Sequence, residues 1–395
     1  MTENQSTNLD NSTIHIHSSR KAIAVTDDSS LADRYEVIKN QSGSLTAFNV
    51  IYEKDKLVVV HERGTMEGLY RVEWDGYPDQ IGDSIDLVLE RVEERPESGT
   101  YISNSLAWSR MHMRLHDRFG QAYYIDPFSG EERAAAGWVR QVGSHSHFRA
   151  GSDIKTHSRT DCNPKFAPTS SEMSSIRMSS LSGVSLHGGL YNRSSAKTYS
   201  SAQSRSDGYA LGVYGTLYTG NSPDDGFYVD SWLLFGHYNN KLWSEDLANF
   251  RYKSNGWVWS VESGYTIPLS QSGSKDFNKL IWTFQPEIQL VWDGVKADTT
   301  VDKDTETRFK QLGTNNVSLR IGARLHANHM NKGLGFIEGN WIHNTKRAGV
   351  QMGTGCKYIK GGRNLAEFRA GLEGHVTKNL LGWATVGVQA GQYGY

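Results

Sequence analysis

The sequence lacks any long apolar run. No stretch approaches the ~18–20 consecutive apolar residues that a membrane-spanning helix requires, so a helical membrane protein is excluded. A β-barrel is not excluded, because its strands alternate apolar and polar residues and give a weak signal in each segment. The N-terminus also lacks a basic region followed by an apolar one, so we expect no secretion signal in the chain as written.

The chain also has almost no net charge and contains few cysteine and proline residues. The chain has 42 Lys and Arg residues against 43 Asp and Glu residues, and a net charge of −1 does not suggest a nucleic-acid partner. Cys162 and Cys356 lie far apart, so two unpaired thiols are favoured over a disulfide. By contrast, 40 Gly, 11 Trp and 19 Tyr residues are abundant. Abundant glycine and aromatic residues are typical of membrane barrels.

From about residue 136 onward, apolar and polar residues alternate in segment after segment. In 282–292 the first face carries Trp282, Phe284, Pro286, Ile288, Leu290 and Trp292. The second face carries Thr283, Gln285, Glu287, Gln289 and Val291. The same period of two recurs in 257–267, 317–328 and 366–376, and it predicts antiparallel β-strands.

Alternation is also typical of a soluble β-sandwich, so strand length and the position of tryptophan decide between the two folds. Trp282 and Trp292 share a face ten residues apart. In a strand tilted by ~40° they stand ~25 Å apart along the membrane normal, the height of an outer-membrane apolar band. The opposite faces carry Arg, Glu and His side chains, which a wet lumen can solvate. The pattern therefore predicts an all-β protein, a transmembrane antiparallel β-barrel.

One segment before the barrel, residues 104–120, is predicted to be helical. Its apolar positions recur at helical spacing: Trp108, Met111, Leu115 and Phe119. Its second face carries Arg110, Arg114 and Arg118 beside Asp117, and Gly120 follows as a C-terminal cap. A helix packed on a soluble core and a helix inside a polar lumen both fit this pattern.

The N-terminal third differs from the predicted barrel in composition and in strand pattern. Residues 1–35 are polar and rich in Ser, Thr, Asn and Asp, which predicts a disordered segment. Residues 36–103 contain short strand-like runs such as 50–52, 57–60 and 85–89. Pro96 and Gly99 then indicate a boundary before the predicted helix.

Nine short segments in consistent order resemble the translocator domain of monomeric autotransporters of type V secretion. They are RPESGTY at 95–101, MRLHDR at 113–118, GWVRQVG at 137–143, YALGVYG at 209–215, DSW at 230–232, ESGY at 262–265, QPE at 285–287, NWIHNT at 340–345 and VGVQ at 386–389. Each segment is weak evidence by itself, but nine in series across 95–395 are specific.

The resemblance implies a twelve-stranded barrel in the bacterial outer membrane that exports and displays a passenger. It implies that 104–120 is a lumen helix, that 136–395 is the barrel and that 36–103 is a β-rich passenger remnant with its linker. The partners implied are outer-membrane lipid, the chain's own passenger segment, the barrel-assembly machinery and periplasmic chaperones. The barrel would act without catalytic residues.

Two departures from the family pattern alter these expectations. Residues 161–185 contain two Pro residues and a Ser-rich tract, which predicts a poor strand. The chain stops at Tyr395, before the last strand of the family pattern, so we expect eleven strands or fewer. The alternative functions are a decayed fragment without activity, a general porin and a soluble β-rich binding protein.

We predict no catalytic, cofactor or metal site. His145 and His147 share a strand face, as His15 and His17 would, but neither pair has a convincing third ligand, and His326 and His329 do not share a face. The acidic residues of the predicted lumen suggest pore charges on separate strands rather than acid catalysis; they are Glu262, Glu287, Glu338 and Glu373. No G-x-S-x-G motif is present, and Gly361-Gly362 is typical of a turn.

Overall fold

The computed structural model describes most of the chain from Ser84 onward and short strands before it. The described residues are 13–16, 32–39, 49–52, 56–60, 68–75, 84–117, 123–125, 132–134, 137–151, 154–175, 178–198, 200–219, 226–245, 249–269, 280–302, 307–329, 333–353, 355–377 and 380–392.

Eight short strands and one helix precede the main sheet. They are β1 (Thr13–Ile16), β2 (Ala32–Lys39), β3 (Asn49–Tyr52), β4 (Lys56–Val60), β5 (Gly68–Asp75), β6 (Ser84–Glu94), α1 (Glu97–Ala107), β7 (Tyr123–Ile125) and β8 (Glu132–Ala134). Strands β2, β6, β5 and β4 form one four-stranded sheet, in that order. Strand β1 pairs in parallel with β3, and β7 pairs with β8.

The strands that follow are β9 (Gly137–Ala150), β10 (Ile154–Ser175), β11 (Met178–Lys197), β12 (Ser201–Tyr218), β13 (Phe227–Ser244), β14 (Phe250–Tyr265), β15 (Ile267–Pro268), β16 (Leu280–Asp293), β17 (Lys296–Ala297), β18 (Thr300–Val301), β19 (Arg308–Leu312), β20 (Asn316–His329), β21 (Gly333–Asn344), β22 (Gly349–Met352), β23 (Gly355–Tyr358), β24 (Asn364–Thr377) and β25 (Leu380–Gly391). The eleven long strands form one antiparallel sheet in sequence order, from β9 at one edge to β25 at the other. Strands β18, β19, β22 and β23 form a second small sheet, which we name the cap sheet.

The predicted direction of the two strand faces is confirmed. On β14 and β16 the apolar face is exposed, with Trp257 at 52% and Trp282 at 41%. The polar face is buried, with Glu287 and Arg320 at 4% each. Exposed large apolar side chains recur on the outer face of strand after strand, whereas a water-soluble monomer rarely shows one large contiguous apolar patch. This outer surface suits hydrocarbon, and the eleven long strands agree with the expected count.

The expectation of a poor strand over residues 161–185 was wrong. Strand β10 continues to Ser175 and β11 begins at Met178, so nearly the whole segment pairs with its neighbours. The register between β9 and β10 shifts between Cys162 and Lys165, which leaves Pro164 out of the pairing. An irregularity of this kind accommodates a residue without an N–H, so Pro164 does not end the strand, whereas Pro168 lies in register with Gly137 near the start of β9.

The prediction of disorder over residues 1–35 was wrong in two places. Thr13–Ile16 forms β1, in which Ile14 and Ile16 alternate with polar residues, and β2 begins at Ala32. The other residues of this range lie outside those that the structure describes.

The predicted helix over 104–120 was placed too late. Helix α1 spans Glu97–Ala107, a 3₁₀ turn covers Trp108–Met111, and a second covers Leu115–Asp117; residues 118–120 lie outside the described part. The first 3₁₀ turn ends at His112, whose backbone is extended (φ −58°, ψ 142°). Beyond it, the Met113 carbonyl accepts hydrogen bonds from Trp232 Nε1 at 2.9 Å and Gln289 Nε2 at 2.8 Å. Among the described residues, no helix is long and apolar enough to cross a membrane.

The main sheet curls around the segment Glu97–Asp117, which we name the central segment. Asp117 Oδ2 lies 3.3 Å from Arg140 Nη1 on β9, which is one edge strand of the sheet. Asp117 Oδ1 lies 2.6 Å from Arg369 Nη2 on β24, the strand next to the other edge. Arg110 Nη1 donates a hydrogen bond to Gln389 Oε1 on β25, the other edge strand, at 3.4 Å. Contacts from both edges to one segment require the sheet to close around it, as a barrel wall does.

The two cysteines are free, as predicted, with Cys162 buried and Cys356 exposed.

Candidate functional site

The candidate site is the pore occupied by the central segment. Almost every residue of α1 is buried, including polar ones such as Glu97, Thr100 and Asn104. A helix buried on all sides by a polar wall needs hydrogen bonds rather than an apolar stripe. The short side chains Ser98, Thr100 and Ser105 each donate to the backbone carbonyl three residues earlier, at 2.7 to 3.0 Å.

Glycine allows the start of α1 to approach the wall. A Cβ at Gly99 would lie 2.3 Å from Thr156 Oγ1 and 2.7 Å from Ile154 Cγ2. Both atoms belong to short β-branched side chains of β10, which cannot move far. The RPESGTY segment therefore includes a residue without a side chain for a steric reason.

The middle of α1 is anchored by an amide network. Asn104 Oδ1 accepts hydrogen bonds from Ser204 Oγ at 2.9 Å and from Asn192 Nδ2 at 3.4 Å, and Asn104 Nδ2 donates to Tyr252 Oη at 3.2 Å. Tyr101 stacks on Tyr252 with 4.9 Å between the ring centroids. Three wall strands, β11, β12 and β14, thus hold one turn of the helix.

Apolar contacts hold the 3₁₀ turn that follows. Trp108 is 3% exposed, stacks on Tyr238 at 5.7 Å and donates from Nε1 to Asp293 Oδ2 at 3.0 Å. Met111 is 1% exposed, and its sulfur accepts from Tyr238 Oη at 3.5 Å. Trp108 and Met111 of the predicted apolar face therefore pack on the pore wall, whereas Phe119 lies outside the described residues.

An ion cluster surrounds the end of the central segment. It consists of Arg114, Arg140, Arg320 and Arg369 with Asp117, Glu262, Glu287, Glu338 and Glu367. Arg114 pairs with Glu338 on β21 and with Glu367 on β24. Arg320 pairs with Glu287 and, at 3.2 Å, with Glu262.

The ion cluster stabilises the contact between the central segment and the wall. Buried carboxylates are stable when arginines neutralise them and are costly when left unpaired. Because Arg114 and Asp117 belong to the central segment and their partners to the wall, withdrawal of the segment would leave wall charges uncompensated. Arg324 lies 3.5 Å over the Phe336 ring and adds one more cation to the same wall.

The structure brings some of the residues singled out from the sequence together and leaves others apart. Arg110, Arg114 and Asp117 face polar wall residues, whereas Arg118 lies outside the described residues. Glu262, Glu287 and Glu338 converge on Arg320, but Glu373 is not part of the ion cluster. His145 and His147 share the exposed outer face of β9, and His326 lies in the pore, 3.4 Å from Gln285.

Within the described ranges, no three His, Cys, Asp or Glu side chains lie close enough to hold a metal ion. The side chains of His15, His17 and His329 are not among those that the structure describes.

Sequence reasoning missed the arginines of the wall as ligands of the central segment. Arg140 and Arg369 lie on β9 and β24, more than 220 residues apart, and meet at Asp117. Their inward position follows from strand alternation, but their convergence depends on barrel curvature, for which the sequence carries no signal.

A cavity of about 300 Å³ remains between the central segment and the wall near the edge strands. Its lining is mixed, with Arg110, Val142, Asn316 and Gln389 among the residues. The pore is therefore narrowed by the central segment but not filled completely.

Comparison with known proteins gives one family match and several relatives. Residues 187–387 match the family model described as "Autotransporter beta-domain". Protein YdeU of Escherichia coli K12 is 34% identical over 318 residues, covering 76% of this chain and 67% of the relative. Protein YuaQ of the same strain is 32% identical over 313 residues, covering 76% of this chain and 23% of the relative.

The autotransporter adhesin AIDA-I of Escherichia coli is 27% identical over 416 residues, covering 93% of this chain and 31% of the relative. Among solved structures, the transport unit of AIDA-I superimposes with a TM-score of 0.68 at 26% identity. That alignment covers 76% of this chain and 95% of the transport unit. The chain thus spans about a quarter of YuaQ and a third of AIDA-I.

Proposed function

Because this chain belongs to the autotransporter family, we propose that its main sheet is an outer-membrane translocator that exports and displays the chain upstream of α1. The protein lies in the bacterial outer membrane, and its exposed apolar face contacts the lipid. The observation that carries the proposal is the central segment, which threads the pore and contacts both edge regions of the sheet.

The contacts of the central segment explain how a passenger stays attached. A pore that passes an unfolded chain must be polar, and the inner wall offers Ser, Thr, Asn, Gln and paired charges. Once the last residues have entered, α1 forms the amide network and the ion cluster. The segment then narrows the pore and anchors the chain that precedes Glu94 at the surface.

The upstream residues supply the displayed part. We assign 36–103 to the end of a passenger and its linker, since β6 ends at Glu94 and α1 begins at Glu97. The polar residues 1–35 precede it, 104–120 belongs to the lumen segment and 136–395 to the barrel. Barrel-assembly machinery and periplasmic chaperones are the partners that insertion of such a sheet requires.

We infer that the barrel is not an enzyme, in keeping with a family of translocators that are typically non-enzymatic. The buried carboxylates Glu262, Glu287 and Glu338 are neutralised by arginine, which suits anchoring rather than acid catalysis. A general porin is not favoured, because the central segment occupies the pore.

Surface display tests the proposal. A secretion leader and an epitope are fused ahead of Glu36, and the chain is expressed in a Gram-negative host. We expect protease added to intact cells to remove the epitope. The matched control is the same fusion ended at Asp117, which lacks the main sheet and should keep its epitope protected in the periplasm. Equal protection of both fusions would contradict export by the sheet.

A further inference from the structure

A continuous row of basic residues crosses the outer surface of the sheet. Six positions pair directly across neighbouring strands in the order His145, Arg159, Arg193, Arg205, Lys241 and Arg251, from β9 to β14. All six lie on the outer face, and all except the half-buried Lys241 are exposed. We name these residues the basic row.

The basic row is electrostatically unfavourable by itself. Like charges directly opposite each other on neighbouring strands destabilise a sheet. Arg159 pairs with Asp161 at 3.1 Å and Arg205 with Asp207 at 3.2 Å, both on their own strands. Among the described residues, no carboxylate lies within ion-pair distance of Arg193, Lys241 or Arg251. With respect to the part of the chain that the structure describes, these three cations are therefore open to an external anion.

Aromatic rings lie beside three cations of the basic row. Arg193 and Arg205 lie over the Tyr191 ring at 4.9 and 4.5 Å, and Lys241 lies 5.4 Å from the Trp243 ring. The next row toward the apolar band carries Lys253 together with Asp161 and Asp207. Two rows away on the other side lie Arg149, Lys155 and Lys197, with Glu245 at the far end. The surface is thus a preorganised basic band across six strands rather than scattered lysines.

The row lies just beyond the apolar band. On β12, Arg205 is four residues from Tyr209, which begins the exposed apolar run Tyr209, Leu211 and Val213. At the usual strand rise and tilt this is ~10 Å along the membrane normal, within reach of a lipid headgroup layer for a long side chain. On β14, Arg251 is six residues from the exposed Trp257.

The row is also at the end of the pore from which the upstream chain leaves. On the inner face at the same level, Asn192 and Ser204 bond to Asn104 in α1. The carboxyl end of the central segment, with His116 bonded to Gln285 at 2.7 Å, lies toward the opposite end. If the upstream chain is displayed, as the proposed function holds, the basic row faces the outer leaflet.

From these observations we infer that the basic row binds the phosphate groups of a phosphorylated lipid headgroup in the outer leaflet. The inference rests on the proposed function for its choice of leaflet. The six strands of the row span about 24 Å at ~4.8 Å per strand, enough for several phosphates. Guanidinium groups are well suited to phosphate because they present paired donors.

The test uses the full chain refolded in detergent micelles doped with a bisphosphorylated glycolipid. The same glycolipid without phosphates and inorganic phosphate alone are the comparison additives. We expect the phosphorylated glycolipid to bind and to raise the thermal stability of the folded chain, while the other two additives have no comparable effect. The triple variant Arg193→Gln, Lys241→Gln and Arg251→Gln should weaken this binding by at least ~tenfold, since each basic residue near an anionic surface contributes appreciably.

The matched control removes three exposed charges elsewhere: Arg308→Gln, Lys310→Gln and Arg363→Gln. This control should bind the lipid like the unaltered chain. Without lipid, the basic-row variant should be as stable as the unaltered chain or more so, because cross-strand repulsion is relieved. A merely structural row would instead lose stability without lipid, and that result would overturn the inference.

Two further outcomes would also overturn it: equal binding of both glycolipids, or reproduction of the shift by inorganic phosphate. These outcomes leave surface display untouched, because the proposed function is read from the epitope on intact cells. Failure of display with intact lipid binding would contradict the proposed function and the leaflet, but not the phosphate site.

Discussion

At the scale of single residues, Arg320 pairs with more carboxylates than Arg140 or Arg369, the other wall arginines of the ion cluster. It is 4% exposed and pairs with Glu262 and Glu287, and its Nη1 lies 3.0 Å from Asn340 Oδ1. A guanidinium satisfies several acceptors at once because its five donors lie in one plane. Few other side chains could hold two carboxylates of separate strands together in this way.

Arg320→Gln should therefore destabilise the folded barrel strongly. Removing one partner of a buried ion pair leaves an uncompensated charge and costs about 3–5 kcal/mol. The measurement is urea unfolding of the refolded chain in detergent, followed by the loss of the compact species on unheated gels. Arg363→Gln, at an exposed turn, is the control and should change the free energy of unfolding by less than about 0.5 kcal/mol. Similar losses for both variants would rule out this role.

At the scale of elements, the fit of α1 against the wall depends on the absence of a side chain at one position. Gly99 lies against Thr156 and Ile154, whereas a Cβ at Gly339 on β21 would meet no heavy atom within 4 Å. The two glycines thus form a natural pair for comparison. No side chain fits at Gly99 because the wall lies close to it, whereas a side chain at Gly339 would have open space.

Gly99→Val should displace the start of α1 from the wall. The overlap cannot be relieved by small side-chain shifts, so a cost of about 1–3 kcal/mol or more is expected. Displacement would open Arg110 and Arg114 to trypsin, and the measurement is the rate of cleavage in the central segment of the refolded chain. Gly339→Val should leave that rate unchanged. Resistance of Gly99→Val to trypsin would show that the helix tolerates a side chain there.

At the scale of the whole molecule, the distribution of apolar surface is inverted relative to a water-soluble protein. Leu211 is 53% exposed, and its neighbours on the same face of β12 are Tyr209 and Val213 at 55% and 52%. The inner face of the same strand carries Ser204, Ser206 and Thr216, all at 1% or less. Hydrocarbon outside and polar groups inside are what a barrel in lipid requires.

Leu211→Arg should therefore cost about 2–4 kcal/mol in lipid vesicles, the penalty for a cation near the bilayer centre. Denaturant unfolding in vesicles measures it. Gln203→Arg, on the same outer face of β12 but beyond the apolar band, should cost about 0–1 kcal/mol. In a water-soluble protein an arginine at a half-exposed position would be nearly neutral, so equal values for the two variants would contradict a lipid-facing surface.

Much of the architecture could be predicted from local pattern. Period-two alternation placed Trp257 and Trp282 on the outside and Glu287 and Arg320 on the inside, because a strand turns successive side chains to opposite faces. The helix boundaries could not be predicted in the same way. Residues 97–103 have no apolar stripe, since a helix inside a polar pore does not need one, and the extended backbone of His112, which ends the helical turns, has no signal in the sequence.

The amino-acid sequence by itself determined which face of each strand meets lipid and which arginines the central segment itself carries, and with the family resemblance it limited the long strands to eleven or fewer. The tertiary structure alone decided which charges meet: Arg140 and Arg369 lie beside Asp117, and Arg320 pairs with glutamates from three strands. It also aligned the basic row, because that row depends on the register of five strand pairs. Alternation is a local property of the backbone, whereas convergence and register follow from the curvature and pairing of strands far apart in the chain.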